Sequence, residues 1–305
     1  MTNFLRKNAC IGIVHFMAYP QVMKGEGPVA ETLFSILEDD YFDAVEVTWV
    51  SDPGEARRVA AMLRTSHVRV GYGAQPILLG KGLNLNARET GERAKAVEAV
   101  RTCFDQAAEF GAETVAVLSG PWLAGTEYPT EEALVESLTI LGHEAAQKGL
   151  GLTLEVFDDK IDKKCFVGKW PVALRVGQRV RAECQGFGLM HDLSHLPILD
   201  EKPETSLPPL RELLVHMHMG NAVVSDPSHD AYGDQHPRFG VEGGANDVLE
   251  LANFLRVLRD IEYFGGEKRR GLAFEVKPMA GEDSRLVIAN AKRTLNAAAN
   301  LAGLS

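Results

Sequence analysis

Residues 150–157 read Leu-Gly-Leu-Thr-Leu-Glu-Val-Phe, a short apolar run directly after Gly149, with a single carboxylate, Glu155, near its end. A run of this length and composition, bounded by a turn residue, fits a buried strand. Immediately before it, Glu131–Lys148 sets Leu134, Leu138, Leu141 and Ala145 on one stripe, the period of an amphipathic helix. Gly149 supplies the stop expected just past that helix.

The alternation extends both ways. Toward the N-terminus stand Thr114–Leu118, a helix over Glu89–Phe110, Val68–Tyr72, a helical Gly54–Arg64, Ala44–Val50, a helical Val29–Leu37 and Cys10–Phe16. Toward the C-terminus come a helix over Pro171–Glu183, Gly186–His191, a short Pro208–Leu213 segment and Leu214–Met219. A helix over Asp247–Ile261, a strand over Gly271–Val276 and an Ala-rich helix from about Asp283 complete the chain. Roughly eight strand–helix units predict an α/β chain closed as a (β/α)8 barrel of about 250 residues plus loop insertions. With no repeat or linker dividing it, one domain over residues 1–305 is expected. An open doubly wound sheet would place a Gly-rich phosphate turn after its first strand. Here that position reads His15-Phe16-Met17-Ala18-Tyr19-Pro20.

Composition narrows the partners. Hydrophobic residues at 45% and charged residues at 24% are those of a globular chain, not a disordered one. Lys+Arg 32 against Asp+Glu 42 gives a net charge of −10, which disfavours nucleic acid and anionic membranes. Residues 1–8 lack a signal-peptide core, and no apolar run approaches the ~18 residues of a membrane span, so a cytoplasmic protein is expected. Cys10, Cys103, Cys165 and Cys184 form no CxxC pair and read as reduced, packed thiols.

The chemistry gathers where strands end. Reactive residues of a barrel sit at the C-terminal ends of its strands. Glu155, Asp192, His218 and Glu275 stand late in the last four strand candidates. A carboxylate buried in an apolar strand is costly unless paired or coordinated, and four in register point to a shared cation. Three carboxylates and one imidazole make a fairly hard site, suited to Mn²⁺ first, with Mg²⁺, Co²⁺ or Zn²⁺ as alternatives. Such an ion stabilises the charge that develops when a carbon beside a carbonyl loses a proton. Of Glu155 and Glu275, one is then the expected base and the other the expected acid, on opposite faces.

These segments resemble the xylose-isomerase-like TIM-barrel superfamily of sugar isomerases, ketose 3-epimerases, inosose dehydratases and the endonuclease IV group. The resemblance lies in LTLEVF around Glu155, HDLSH at 191–195, HMHMGN at 216–221, GDQHPRFGVEGG at 233–244 and AFEVKP around Glu275. It implies Glu155, Asp192, His218 and Glu275 as metal ligands, and His195 as a catalytic histidine meeting substrate oxygen or a second metal. The chain also departs from its relatives. Ile161 and Val224 occupy the places of a substrate-binding Glu and an Arg in ketose 3-epimerases. The endonuclease IV histidines after the third and fourth strands have no counterpart in 70–73 or 117–120.

Further candidate contacts are His15 and Glu46 from the first two strands, with a structural polar role as the alternative. Trp49 and Trp122 after strand ends are others, with packing as the alternative, as are Asn84 and Asn86 in a loop, with turn hydrogen bonding as the alternative. The long stretch Asn221–Asn246 reads as a substrate lid bringing His236 and Arg238, with Asp234 or His236 free to bind a second cation. His67 and His143 read as bystanders. The expected function is a metal-dependent sugar isomerase or epimerase. The alternatives are a lyase, dehydratase or deglycosidase acting on a 3-oxo-glycoside by the same enolate chemistry, or a non-catalytic sugar-binding barrel. The expected partners are a small sugar or glycoside and a second copy of the chain, with a small partner subunit if the protein is a deglycosidase.

Overall fold

The eight apolar runs pair in parallel, each with the next, and the first returns to the last, closing a barrel in a computed structural model that describes residues 1–266 and 268–304. The strands are β1 (Ala9–Val14), β2 (Ala44–Val47), β3 (Arg69–Gly73), β4 (Thr114–Leu118), β5 (Gly151–Val156), β6 (Phe187–Asp192), β7 (Leu214–Met219) and β8 (Arg270–Phe274). β1 and β6 are buried at every position, because one face meets the barrel interior and the other the helices. That is why these strands read as continuous apolar runs instead of alternating.

The helices are set by local signals. Asp52 accepts from the Glu55 amide at 2.7 Å, Pro53 opens the helix, and His67 ends it in a left-handed conformation (φ 60°). In Val248–Asp260 the residues Leu251, Phe254, Leu255 and Leu258 face inward, and Glu250 accepts from the Asp247 amide.

Some boundaries differ from the sequence reading. β1 stops at Val14, because the Tyr19 amide bonds the His15 carbonyl and residues His15–Ala18 turn into a short helix. β8 stops at Phe274, so Glu275 is the first residue past the sheet. Pro208–Leu210 forms only a 3-10 turn. An unforeseen helix, Gln75–Gly80, follows β3 and starts on Gln75-Pro76.

The stretch after β7 is fastened at both ends. Asn221 Oδ1 accepts from the Ala222 and Asn246 amides, and Asn246 Nδ2 donates to the carbonyls of Leu193 and Gly220. Val223 bridges to Tyr232 and Gly244 across its middle. All four cysteines are buried and free. Among the described residues, no helix is long and apolar enough to cross a membrane.

Inside the barrel, two glycines make room for polar side chains. A Cβ on Gly71 would meet Glu46 Cγ at 3.0 Å, and one on Gly271 would meet His216 Nδ1 at 2.1 Å. The carboxylate and imidazole therefore fill volume that side chains on β3 and β8 would otherwise occupy.

Candidate functional site

Four strand ends deliver one cluster. Glu155 comes from β5, Asp192 from β6, His218 from β7 and Glu275 from just past β8, each with one ligand atom within 4.8 Å of the others. All four are buried. Glu155 Oε1, Asp192 Oδ2, His218 Nδ1 and Glu275 Oε2 each lack a hydrogen-bond partner. His218 Nδ1 lies 2.7 Å from Glu275 Oε2, 3.7 Å from Glu155 Oε1 and 3.9 Å from Asp192 Oδ2. Unpartnered buried polar atoms are rare and costly. Four of them facing one point, three oxygens and one imidazole nitrogen, fit a divalent cation.

In three of the four ligands the other atom is anchored. Gln75 Nε2 donates to Glu155 Oε2 at 2.8 Å, and the Ser194 amide donates to Asp192 Oδ1 at 2.6 Å. His218 Nε2 lies 3.0 and 3.1 Å from the two oxygens of Glu46, whose Oε1 is also 2.8 Å from His216 Nε2. An ionised carboxylate only accepts, so both imidazoles donate to it from Nε2. His218 thus presents Nδ1 to the cluster, the carboxylate–histidine–metal arrangement that fixes a ligand's tautomer. Burial works to raise the Glu46 carboxyl, but the charges of His218 and His216 outweigh it and hold it well below its usual value. Glu46 lines the cavity, where a substrate contact was expected, and it also orients a ligand.

A second network lies beside the first. His195 Nδ1 donates to the Val156 carbonyl at 2.8 Å, and its Nε2 is 3.0 Å from Asp234 Oδ1. Both nitrogens face acceptors, so the ring carries both protons. Burial opposes this, yet the Asp234 charge prevails and raises its pKa to about 10. His195 is fully buried, braces Asp234 and is not among the residues that line the cavity. His236 does line the cavity, with Nε2 2.8 Å from Asp234 and 3.8 Å from Glu275 Oε1. Burial lowers its pKa, but Glu275 and Asp234 more than offset this and raise it to about 9. Glu275, despite burial, is held below its usual value by His236 and His218. Asp192, His195 and His236 also offer three atoms within reach of one ion.

Other expected contacts lie elsewhere. His15 is buried against Thr32 Oγ1 at 2.9 Å, outside the cavity. Trp122 packs edge-on against Phe166, and Asn84 and Asn86 both donate to the Pro121 carbonyl. Arg238 turns to Glu282 at 2.8 Å. None of these lines the cavity, whereas Trp49 does. Gln75, Lys163 and Lys277 line it without having been singled out, because nothing in their spacing marks them. Lys163 reaches Asp234 at 2.8 Å and Lys277 reaches Gln235 at 2.7 Å.

The family model for the xylose isomerase-like TIM barrel matches residues 35–276. The chain belongs to this family. Among curated protein sequences, none matches this barrel. Among solved structures, an L-ribulose 3-epimerase superposes on it with a TM-score of 0.71 at 16% identity, covering 97% of each chain. A D-tagatose 3-epimerase-like protein gives 0.69 at 17%, covering 95% of this barrel and 98% of its own chain. A 3-keto-D-glucoside 4-epimerase from E. coli gives 0.66 at 15%, covering 94% and 99%. At such identities the likeness concerns the xylose isomerase-like fold alone.

Proposed function

We propose that this barrel is a divalent-metal-dependent sugar isomerase or epimerase, which moves a proton at a carbon beside the carbonyl of a sugar or sugar derivative. The observation that carries this reading is the set of four unpartnered buried atoms on Glu155, Asp192, His218 and Glu275. Those residues would hold the cation, with Mn²⁺ the best match to the donor set. Once bound, it supplies charge stabilisation to the oxygen beside the carbon that loses its proton. That solved structures of the same fold include sugar epimerases supports the reading.

Glu275 is the better base. The charges of His236 and His218 keep it ionised, and its Oε1 is the oxygen not turned into the cluster. Glu155, its Oε2 steadied by the neutral Gln75 amide, exchanges the proton on the opposite side. Lys163, Lys277 and Gln235 supply donors to sugar hydroxyls at the polar end of the cavity. Protein stripped of metal should lose solvent-hydrogen exchange into a keto sugar and regain it with Mn²⁺, and Glu275→Gln should abolish it. Exchange that survives both changes refutes the reading.

A second reading draws on Ile161 and Val224, which replace the Glu and Arg of the ketose 3-epimerases and do not line the cavity. In it the same proton abstraction ends in elimination. The C–H electron pair becomes a C=C bond, the bond to a group on the neighbouring carbon breaks, and the departing atom takes a proton from the acid. Release of that group without sugar interconversion identifies it.

A further inference from the structure

The cavity above the cluster measures about 690 Å³ and draws Glu155, His218 and Glu275 from the later strands and Met17, Trp49 and Ile77 from segments after the earlier ones. A second recess, of about 470 Å³, opens at the opposite end of the barrel. Arg69, Thr114, Gly151, Phe187 and Arg270, the first residues of β3, β4, β5, β6 and β8, line it. In barrels of this kind that end serves stability, and the reaction site lies at the other.

The charge of the recess exceeds what stability asks of it. Arg69, Arg181, Lys268, Arg269 and Arg270 line it, with Glu113 as the carboxylate among the described lining residues. A second carboxylate, Asp43, reaches Arg269 at 2.9 Å. Even with Glu267 of the same segment counted from the sequence, five cations meet three carboxylates, on a chain whose net charge is −10. Three of the arginines serve carbonyls near the strand starts, which need donors there. Arg69 donates to the Arg269 carbonyl at 2.6 Å, Arg181 to that of Phe187, and Arg269 to those of Arg6 and Ala9. Arg270 has no such task. Its guanidinium lies over the Tyr263 ring at 5.3 Å and pairs with no carboxylate among the described residues. Lys268 shares Glu113 with Arg69, at 2.9 Å, and its side chain stays 71% exposed. Like charges gathered in a concave surface repel one another and draw an anion.

We propose that this recess binds a small phosphorylated compound, a phosphate monoester of about sugar-phosphate size, with Arg270 and Lys268 donating to its oxygens. A phosphate group carries close to two negative charges and three acceptor oxygens, and guanidinium groups meet it in paired hydrogen bonds. A carboxylate brings one charge and leaves more of the surplus unmet. The volume is that of a small-molecule site. This site lies apart from the proton-transfer cavity and does not depend on how that cavity is read.

Calorimetry on the full chain, with glucose 6-phosphate and glucuronate as probes, tests the proposal. The phosphate should bind at least about tenfold tighter than the carboxylate. Arg270→Gln should weaken it about tenfold or more, and Lys268→Ala, on a side chain that the fold does not need, about 2- to 5-fold. Circular dichroism checks the fold of both variants, and Lys268→Ala keeps the test decisive if Arg270→Gln disturbs Tyr263. Glucose 6-phosphate that fails to bind, or that binds Lys268→Ala and a folded Arg270→Gln as tightly as the unaltered protein, overturns the site. Glucuronate bound as tightly as the phosphate overturns the ligand class.

Discussion

Replacing Glu46 tests whether the cluster is prearranged. Its carboxylate lies 3.0 and 3.1 Å from His218 Nε2 and 2.8 Å from His216 Nε2. Glu46→Gln keeps an acceptor oxygen at nearly the same place but removes the charge. A hydrogen bond to a charged group contributes about 1.5–3 kcal/mol and a neutral one about 1 kcal/mol, so His218 loses roughly 1–1.5 kcal/mol of orientation. That corresponds to about tenfold weaker metal binding. Glu46→Ala leaves two buried N–H groups unpartnered and should approach the ~100-fold limit seen for lost outer-shell partners. Competition for Mn²⁺ against a chelator at neutral pH gives both numbers, and circular dichroism checks that the barrel is intact. If both variants hold Mn²⁺ as tightly as the unaltered protein, Glu46 does not set the His218 tautomer and the argument for a prearranged site fails.

Three further outcomes follow from the same geometry. Gln75→Leu frees Glu155 Oε2 and should lower kcat by about 10- to 100-fold with little change in KM, since Gln75 steadies the proton-carrying oxygen; an unchanged kcat contradicts that role. Gly271→Ala drives a methyl to 2.1 Å from His216 Nδ1 and should cost about 1–3 kcal/mol in urea unfolding; no loss would mean that His216 moves freely. Burial lowers the His15 pKa to about 3, so between there and about 6.5 the unfolded chain binds a proton that the native protein does not. Stability should therefore fall by about 2 kcal/mol from pH 7 to pH 5, and His15→Gln should remove that part of the slope; identical slopes would place the ring in water.

How far the sequence carried the reading differs by level. The barrel was legible because parallel strands covered on both faces leave apolar runs between helical stripes, as in Ala9–Val14 and in residues 187–190. Glu155, Asp192 and His218 were legible because a polar residue at the end of such a run stands out. The Glu46–His218 contact was not, since it spans the barrel between residues 172 apart in the chain. Direction was equally hidden. His195, His15 and Arg238 occupy expected positions, but the first turns to Asp234, the second to Thr32 and the third to Glu282. A strand pattern says where a side chain starts, not which acceptor lies within its reach. Gln75 was invisible because its importance comes only from the carboxylate 80 positions later.

The division of the cavity wall by strand has a consequence for how such a protein can be altered. The acid–base and ion-holding groups come from beyond residue 150, apart from Glu46 and Gln75, while most of the apolar lining, Phe157 excepted, comes from before residue 80, beside Lys24 and Glu26. Segments 15–25, 49–50 and 76–80 could thus be exchanged for those of another barrel to redirect ligand choice, with Gln75 and the catalytic end retained. Recombination between the two halves of the chain gives a direct route to new specificities on a constant chemistry.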